Sequence, residues 1–155
     1  MTLLKMKKKV SALICGALVA LSSVSFATIR ADQCLLGDLQ PGMKLSEVKE
    51  IYGEPLQTVG DKLIYKGFYI ELKDNNRNRV EEIVTEDPGF ATQDGVIVGM
   101  SENVLNDKMT NYGTADKLEI DGNTKEYEYY SSDNKYKLEF KVVNGIIKKI
   151  TCELR

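Results

Sequence analysis

Apolar and polar residues change period along this chain, from an unbroken apolar run to helical spacing and then to strict alternation. The run VSALICGALVALSSVSF follows the basic cluster MKKKV at 6–10, with Ser25 and Ala27 as small residues at its end. That layout predicts an export signal over residues 1–27, cleaved after Ala27. Further on, Val48, Ile51 and Tyr52 recur at helical spacing, and Leu105, Met109 and Tyr112 do the same. Phe68, Ile70 and Leu72 alternate with Tyr69, Glu71 and Lys73; Tyr136, Leu138, Phe140 and Val142 alternate with Lys137, Glu139 and Lys141. Alternation of this kind predicts antiparallel strands with one face in a core and one face in water. SSDN at 131–134 and the Asn-Gly of residues 144–145 are the turn signals between strands.

The pattern occurs twice. Gly42-Met43 matches Gly99-Met100, and Tyr52-Gly53 matches Tyr112-Gly113. FYIELK at 68–73 matches YKLEFK at 136–141, and VEEIV at 80–84 matches IKKIT at 147–151. The order predicts an internal duplication of roughly sixty residues. Gly53 and Gly113 sit where a left-handed residue would end a helix, and Pro55 prevents its resumption. The expected fold class is α+β: a tandem repeat of a helix plus a three-stranded antiparallel meander, forming one sheet with the helices on one face. The expected units are an N-terminal segment at 28–35, a first repeat at 36–87 and a second at 88–155, joined near EDPGFATQDG. The motif Gly42, Tyr52, Gly53, Pro55, Gly99, Tyr112, Gly113 then has an architectural task, stopping a helix so that the chain can turn onto the sheet.

Charge and composition narrow the chemistry. The chain carries 21 basic and 23 acidic residues, a net charge of −2. Loss of residues 1–27 removes Lys5, Lys7, Lys8 and Lys9 and no acid, so the exported form is more acidic still. Such a balance does not draw a protein to nucleic acid or anionic lipid. Cys15 lies inside the apolar run behind Ile14, which is not the small residue that lipidation needs, so no stable membrane anchor is expected after cleavage. Cys34 and Cys152 then remain, and in an exported chain an even pair reads first as a disulfide, with two free thiols as the rival reading.

There is no His, so Ser-His-Asp and Cys-His sites are excluded and the commonest metal ligand is missing. Glu81-Glu82 and Glu86-Asp87 are neighbours in sequence, and adjacent strand residues point to opposite faces rather than flanking one bond. Residues 74–85 imitate a calcium loop through Asp74, Asn76 and Asn78, but Arg79 stands where Gly is required and Thr85 where Glu is required. These readings point to no enzyme, no catalytic residue, no metal and no cofactor.

The tyrosines are the remaining candidates. Tyr129 and Tyr130 are adjacent, so at least one belongs on the wet face, beside Tyr69 and the alternating charges. The candidate binding residues are Tyr69, Glu71, Lys73, Tyr129, Tyr130, Lys137 and Glu139. The motif GMxxxxVxxxYGxP, with a closing N-G-x-[IV]-x-x-I turn and strand, resembles the SmpA/OmlA (BamE-type) outer-membrane lipoprotein domain and the β-lactamase-inhibitor-protein domain, the latter duplicated in tandem. That resemblance covers about residues 36–155 and rests on Gly42, Val48, Gly53 and Pro55 in the first unit and on Gly99 and Gly113 in the second. It implies a cell-envelope or secreted module that works by binding other proteins. The expectation is therefore an exported protein, periplasmic or extracellular, that binds another envelope or secreted protein. The alternative is a small-molecule or glycan-binding envelope protein using exposed tyrosines.

Overall fold

The computed structural model describes residues 29–106, 110 and 112–155; the predicted signal at 1–27 lies outside them, as do residues 107–109 and 111, Met109 included. Eight strands make one sheet: β1 (Gln57–Val59), β2 (Lys62–Ile64), β3 (Phe68–Lys73), β4 (Asn76–Thr85), β5 (Lys117–Asp121), β6 (Thr124–Tyr130), β7 (Tyr136–Val143) and β8 (Ile146–Leu154). Their order is β1-β2-β3-β4-β8-β7-β6-β5, and every pairing is antiparallel. Two four-stranded meanders thus meet through β4 and β8, where Ile83 lies opposite Cys152 and Val84 opposite Thr151. The turn from β7 to β8 holds Asn144 at φ 52° and Gly145 at φ 75°, the pair of positive values that a tight hairpin matched to strand twist demands.

The two Gly-Met pairs make the same contact. The Gly42 N–H donates to Val80 O at 2.7 Å, and the Val80 N–H donates to Met43 O at 3.0 Å. Gly99 and Met100 bracket Ile147 in the same way, at 2.8 and 2.9 Å. Next along each strand comes a bulge. Glu71 faces Glu82 while Leu72 faces Val80, leaving Glu81 unopposed. Lys141 faces Lys149 while Val142 faces Ile147, leaving Lys148 unopposed. The extra residue lets Val80 and Ile83, three apart, both face inward, and likewise Ile147 and Ile150; a regular strand would send one of each pair outward.

One face of the sheet carries the core. A row of Leu63, Ile70, Ile83, Cys152, Leu138 and Tyr129 crosses six strands, and all of these residues are buried. Helix α1 (Leu45–Tyr52) packs against β4 and buries Val48. The Lys44 N–H at its start is accepted by the Glu47 carboxylate at 2.7 Å, and at its end the Gly53 N–H bonds Lys49 O at 2.8 Å. The N-terminal segment crosses the far half: Ile29 bridges Ser131, and the Cys34 thiol reaches Lys137 O at 3.2 Å.

The expected α+β tandem repeat of a helix plus a three-stranded meander is corrected by this architecture. The protein is dominated by one eight-stranded antiparallel sheet, with four strands in each half, and among the described residues α1 is the one α-helix. Where a second helix is expected before Tyr112, the described residues form a 3-10 turn, Glu102–Asn106, and residues 107–109 and 111 lie outside them. Asn103 and Asn106 favour helix poorly. The Glu102 carboxylate is tied down onto the sheet by Lys125 Nζ, 2.9 Å to each oxygen, and by the Tyr127 hydroxyl at 2.8 Å. The extra strands, β1 and β5, are the two edges, exposed at every residue. β1 is too short to show a period, and the alternating Leu118 and Ile120 of β5 lie on the core side without being buried there.

Candidate binding surface

The face of the sheet opposite the core is polar and ordered into rows. In one row Lys62, Glu71, Glu82, Glu153, Lys137 and Tyr130 succeed one another across six strands. In the next come Ile64, Tyr69, Val84, Thr151, Glu139, Glu128 and Lys117. Five carboxylates and three ammonium groups therefore share two rows, and the central pair of the first row, Glu82 and Glu153, is acidic while that of the second, Val84 and Thr151, is uncharged.

Lys137 is the hub, 3.1 Å from Glu139 and 2.9 Å from Glu153. Burial works against its charge, but the hydrogen bonds to Glu153 and Glu139 outweigh it and hold the ammonium above its usual range. Burial likewise works against ionised Glu128, and the Tyr130 hydroxyl (2.7 Å), Lys137 and Lys117 outweigh it, keeping this carboxyl below its usual range. Glu82 is the exception. Its carboxyl is pushed up by burial first and then by Glu71 and Glu153 on either side, and among the described residues no cation lies within ion-pair distance of it.

At the β2–β3 end this face opens into a cleft of about 520 Å³. Ile64, Phe68, Tyr69 and Val84 give it apolar walls, and Lys62, Glu86 and Asp87 stand among its polar lining. Lys62 Nζ lies 4.0 Å from the centre of the Tyr69 ring, a cation–π contact that fixes both side chains. Behind the cleft Tyr65 and Phe68 stack at 4.8 Å, and Tyr52 and Phe90 each meet Phe68 edge-on at 4.9 Å. At the opposite end of the face Arg155 sits 3.8 Å over the Tyr130 ring.

Of the candidate residues, Tyr69, Glu71, Tyr130, Lys137 and Glu139 lie on this polar face. Lys73 lies at the end of β3 opposite Asn76, past the bulge and away from the two rows. Tyr129 does not belong to the surface: it is fully buried against Tyr112 and Phe140 at 5.3 and 6.0 Å, because the alternation that puts Tyr130 outside puts Tyr129 inside. Cys34 and Cys152 meet inside the protein, both buried and unbridged, and the contact with Cys34 together with burial raises the Cys152 thiol. Among the described residues no three His, Cys, Asp or Glu side chains gather as metal ligands, and no helix is long and apolar enough to cross a membrane.

Sequence reasoning missed Glu82, Val84, Thr151 and Glu153. Their strands were legible, but β4 and β8 are 61 or more residues apart, and only their pairing places these residues beside Tyr69 and Lys137. The cleft residues Glu86 and Asp87 stand at the start of the connector, which the Thr85 hydroxyl folds back over the β2–β3 turn by donating to Gly67 O at 2.7 Å and accepting from the Asp87 N–H at 3.0 Å.

The chain matches no protein-family model and no curated protein. It is similar in fold to a crystal structure at 2.13 Å of a DUF4309 family protein, YjgB, from Bacillus subtilis subsp. subtilis str. 168, with 14% identity, a TM-score of 0.51, and coverage of 72% of this chain and 78% of that one. A second solved structure, at 1.5 Å, is an extracellular protein containing a SCP domain from Bacillus anthracis str. Ames, with 9% identity and a TM-score of 0.46. That match covers 97% of this chain and 50% of the other, so this chain spans about half its length. At these identities the likeness to YjgB is one of fold, and a fold by itself assigns no activity.

Proposed function

We propose that this chain is an exported, non-enzymatic protein-binding module of the bacterial cell envelope or secretome, inhibitor-like or assembly-factor-like, that docks a partner on the polar face of its sheet. The observation that carries this reading is the apolar cleft around Tyr69 and Val84 at one end of a face whose centre is acidic. A pocket for one large side chain beside a ring of charges is how protein interfaces combine an anchor with orientation. The partner that fits presents an apolar side chain to the cleft and Lys or Arg toward Glu71, Glu82 and Glu153, and its binding weakens as salt rises. The resemblance to BamE-type and inhibitor domains implies the same kind of role.

The second reading is a small-molecule or glycan-binding envelope protein. The cleft favours it, since about 520 Å³ is within the span of ligand sites and Tyr69 offers a ring face.

The test is affinity capture from envelope and culture-supernatant extracts, with a Tyr69→Ala/Tyr130→Ala variant alongside. A protein retained by the native chain, lost by the variant and released by salt supports the first reading. Retention of no protein by a folded chain contradicts it. A sugar or metabolite that protects the native chain but not the variant against thermal unfolding supports the second.

A further inference from the structure

The two edges of the sheet differ. β1 is three residues long, and its turn is held by Arg77, which donates to Gly60 O at 3.0 Å and pairs with Asp61 at 2.7 Å. β5 is five residues long, carries no proline and is exposed throughout, with Leu118 47% and Ile120 63% accessible. Leu118 lies opposite Tyr127 and Ile120 opposite Lys125, so both apolar side chains project on the core side, just beyond the end of the core. Lys117, Glu119 and Asp121 line the polar side of the same strand. An edge strand presents an unpaired row of backbone donors and acceptors, and one that also carries exposed apolar residues is a template for a further strand.

The sequence of β5, KLEID, is complementary to itself. Turned antiparallel about Glu119, it sets Lys117 against Asp121 of a second copy and Leu118 against Ile120 of that copy, each pair occurring twice by symmetry. At the axis the two Glu119 side chains meet, and each is already held by its own Lys117 at 2.6 Å, which offsets their repulsion. We propose that β5 is a homodimer edge: two copies pair antiparallel along Lys117–Asp121 and join their sheets into one. The contact is short, so the dimer is weak and depends on concentration.

Sedimentation equilibrium of the chain over a wide concentration range tests it. The expected result is a reversible monomer–dimer equilibrium whose dissociation constant rises about tenfold or more in Ile120→Lys, a change at an exposed position that leaves the circular dichroism spectrum unaltered. Lys117→Asp should weaken the dimer, and Lys117→Asp/Asp121→Lys should restore it, because the swap rebuilds both ion pairs in this register alone. Glu119→Cys should form a disulfide-linked dimer under oxidation that the wild-type chain does not. A monomer at every concentration, or a dimer indifferent to Ile120→Lys, would overturn the proposal. A dimer weakened by Ile120→Lys but not restored by the charge swap would overturn its register.

Discussion

In the first half of the molecule Gly42 and Met43 bracket Val80, and the chain then enters an eight-residue helix that leaves Ile51 46% exposed. In the second half Gly99 and Met100 bracket Ile147, and the chain enters a 3-10 turn that buries Leu105 completely. The two halves share the backbone device and differ in the segment after it. The aromatic groups differ accordingly. Tyr112, Tyr129 and Phe140 are fully buried in the second half, whereas Tyr52 of the first, with Phe90 of the connector packed beside it, is only partly buried and its neighbours Tyr65 and Phe68 line the cleft. Attachment of a segment to the sheet is thus fixed by backbone hydrogen bonds, and the packing beneath is free to diverge. One half has become the closed core, and the other keeps an opening beside Tyr69.

The largest expected effect breaks the closed half. Phe140→Ala removes the ring that packs against both Tyr112 and Tyr129 and should cost about 3–5 kcal/mol in urea denaturation. Phe68→Ala, at the cleft, should cost less, because the site already opens to solvent on one side. A larger loss for Phe68→Ala would reverse the assignment of closed and open halves.

Next comes the junction between the N-terminal segment and β8. Cys34 and Cys152 are buried together, and in an oxidising compartment they should bridge. Closing so long a segment contributes up to about 4–5 kcal/mol in the chain-entropy account, so a reductant should lower the denaturation midpoint. Two titratable thiols in the denatured, unreduced exported protein would show that no bridge forms.

Smaller effects separate two tyrosines within the closed half. The Tyr112 hydroxyl shares a 2.7 Å hydrogen bond with Thr92 Oγ1, so Tyr112→Phe should destabilise by about 1 kcal/mol. Among the described residues the Tyr129 hydroxyl has no hydrogen-bond partner, and Tyr129→Phe should be neutral or stabilising. Equal losses for both would mean that burial alone, and not the hydrogen bond, sets their contribution.

Glu82 gives the last of these effects. Its carboxyl is raised in the folded state, so folding favours the protonated form, and at neutral pH the ionised group opposes folding. Glu82→Gln should therefore stabilise the protein at neutral pH. The advantage should shrink as the pH falls through the raised carboxyl value toward the ordinary carboxylate range, which thermal melts across that interval would track.

Much of the fold was legible where burial imposes a period. Phe68, Ile70 and Leu72 alternate because one face of β3 is core, and the Asn144-Gly145 turn is set by the positive φ that both residues tolerate. The spacing of three in VEEI and IKKI carried the two bulges, but it reads as noise until the strands are paired. β5 was missed although KLEID alternates and the Gly122-Asn123 turn after it was there to be read; its apolar residues, Leu118 and Ile120, lie on the core side but beyond the end of the core, where they stay exposed. Of the candidate surface, Tyr69, Glu71, Lys137 and Glu139 came from local alternation. Glu82, Val84 and Glu153 did not, because a pairing between distant strands leaves no local trace.

Everything proposed for function turns on the polar face, and the cleft at its end, being where a partner docks. Once capture has supplied a retained protein, the most direct test is its titration into the isotopically labelled chain, with NMR of backbone and side-chain resonances. Docking on this face predicts shifts concentrated at Tyr69, Glu71, Val84, Lys137, Glu139 and Thr151, with Val48 of α1 and the buried trio around Phe140 unmoved. Shifts centred on α1 or on the edge strand β5, with the polar face silent, would contradict it.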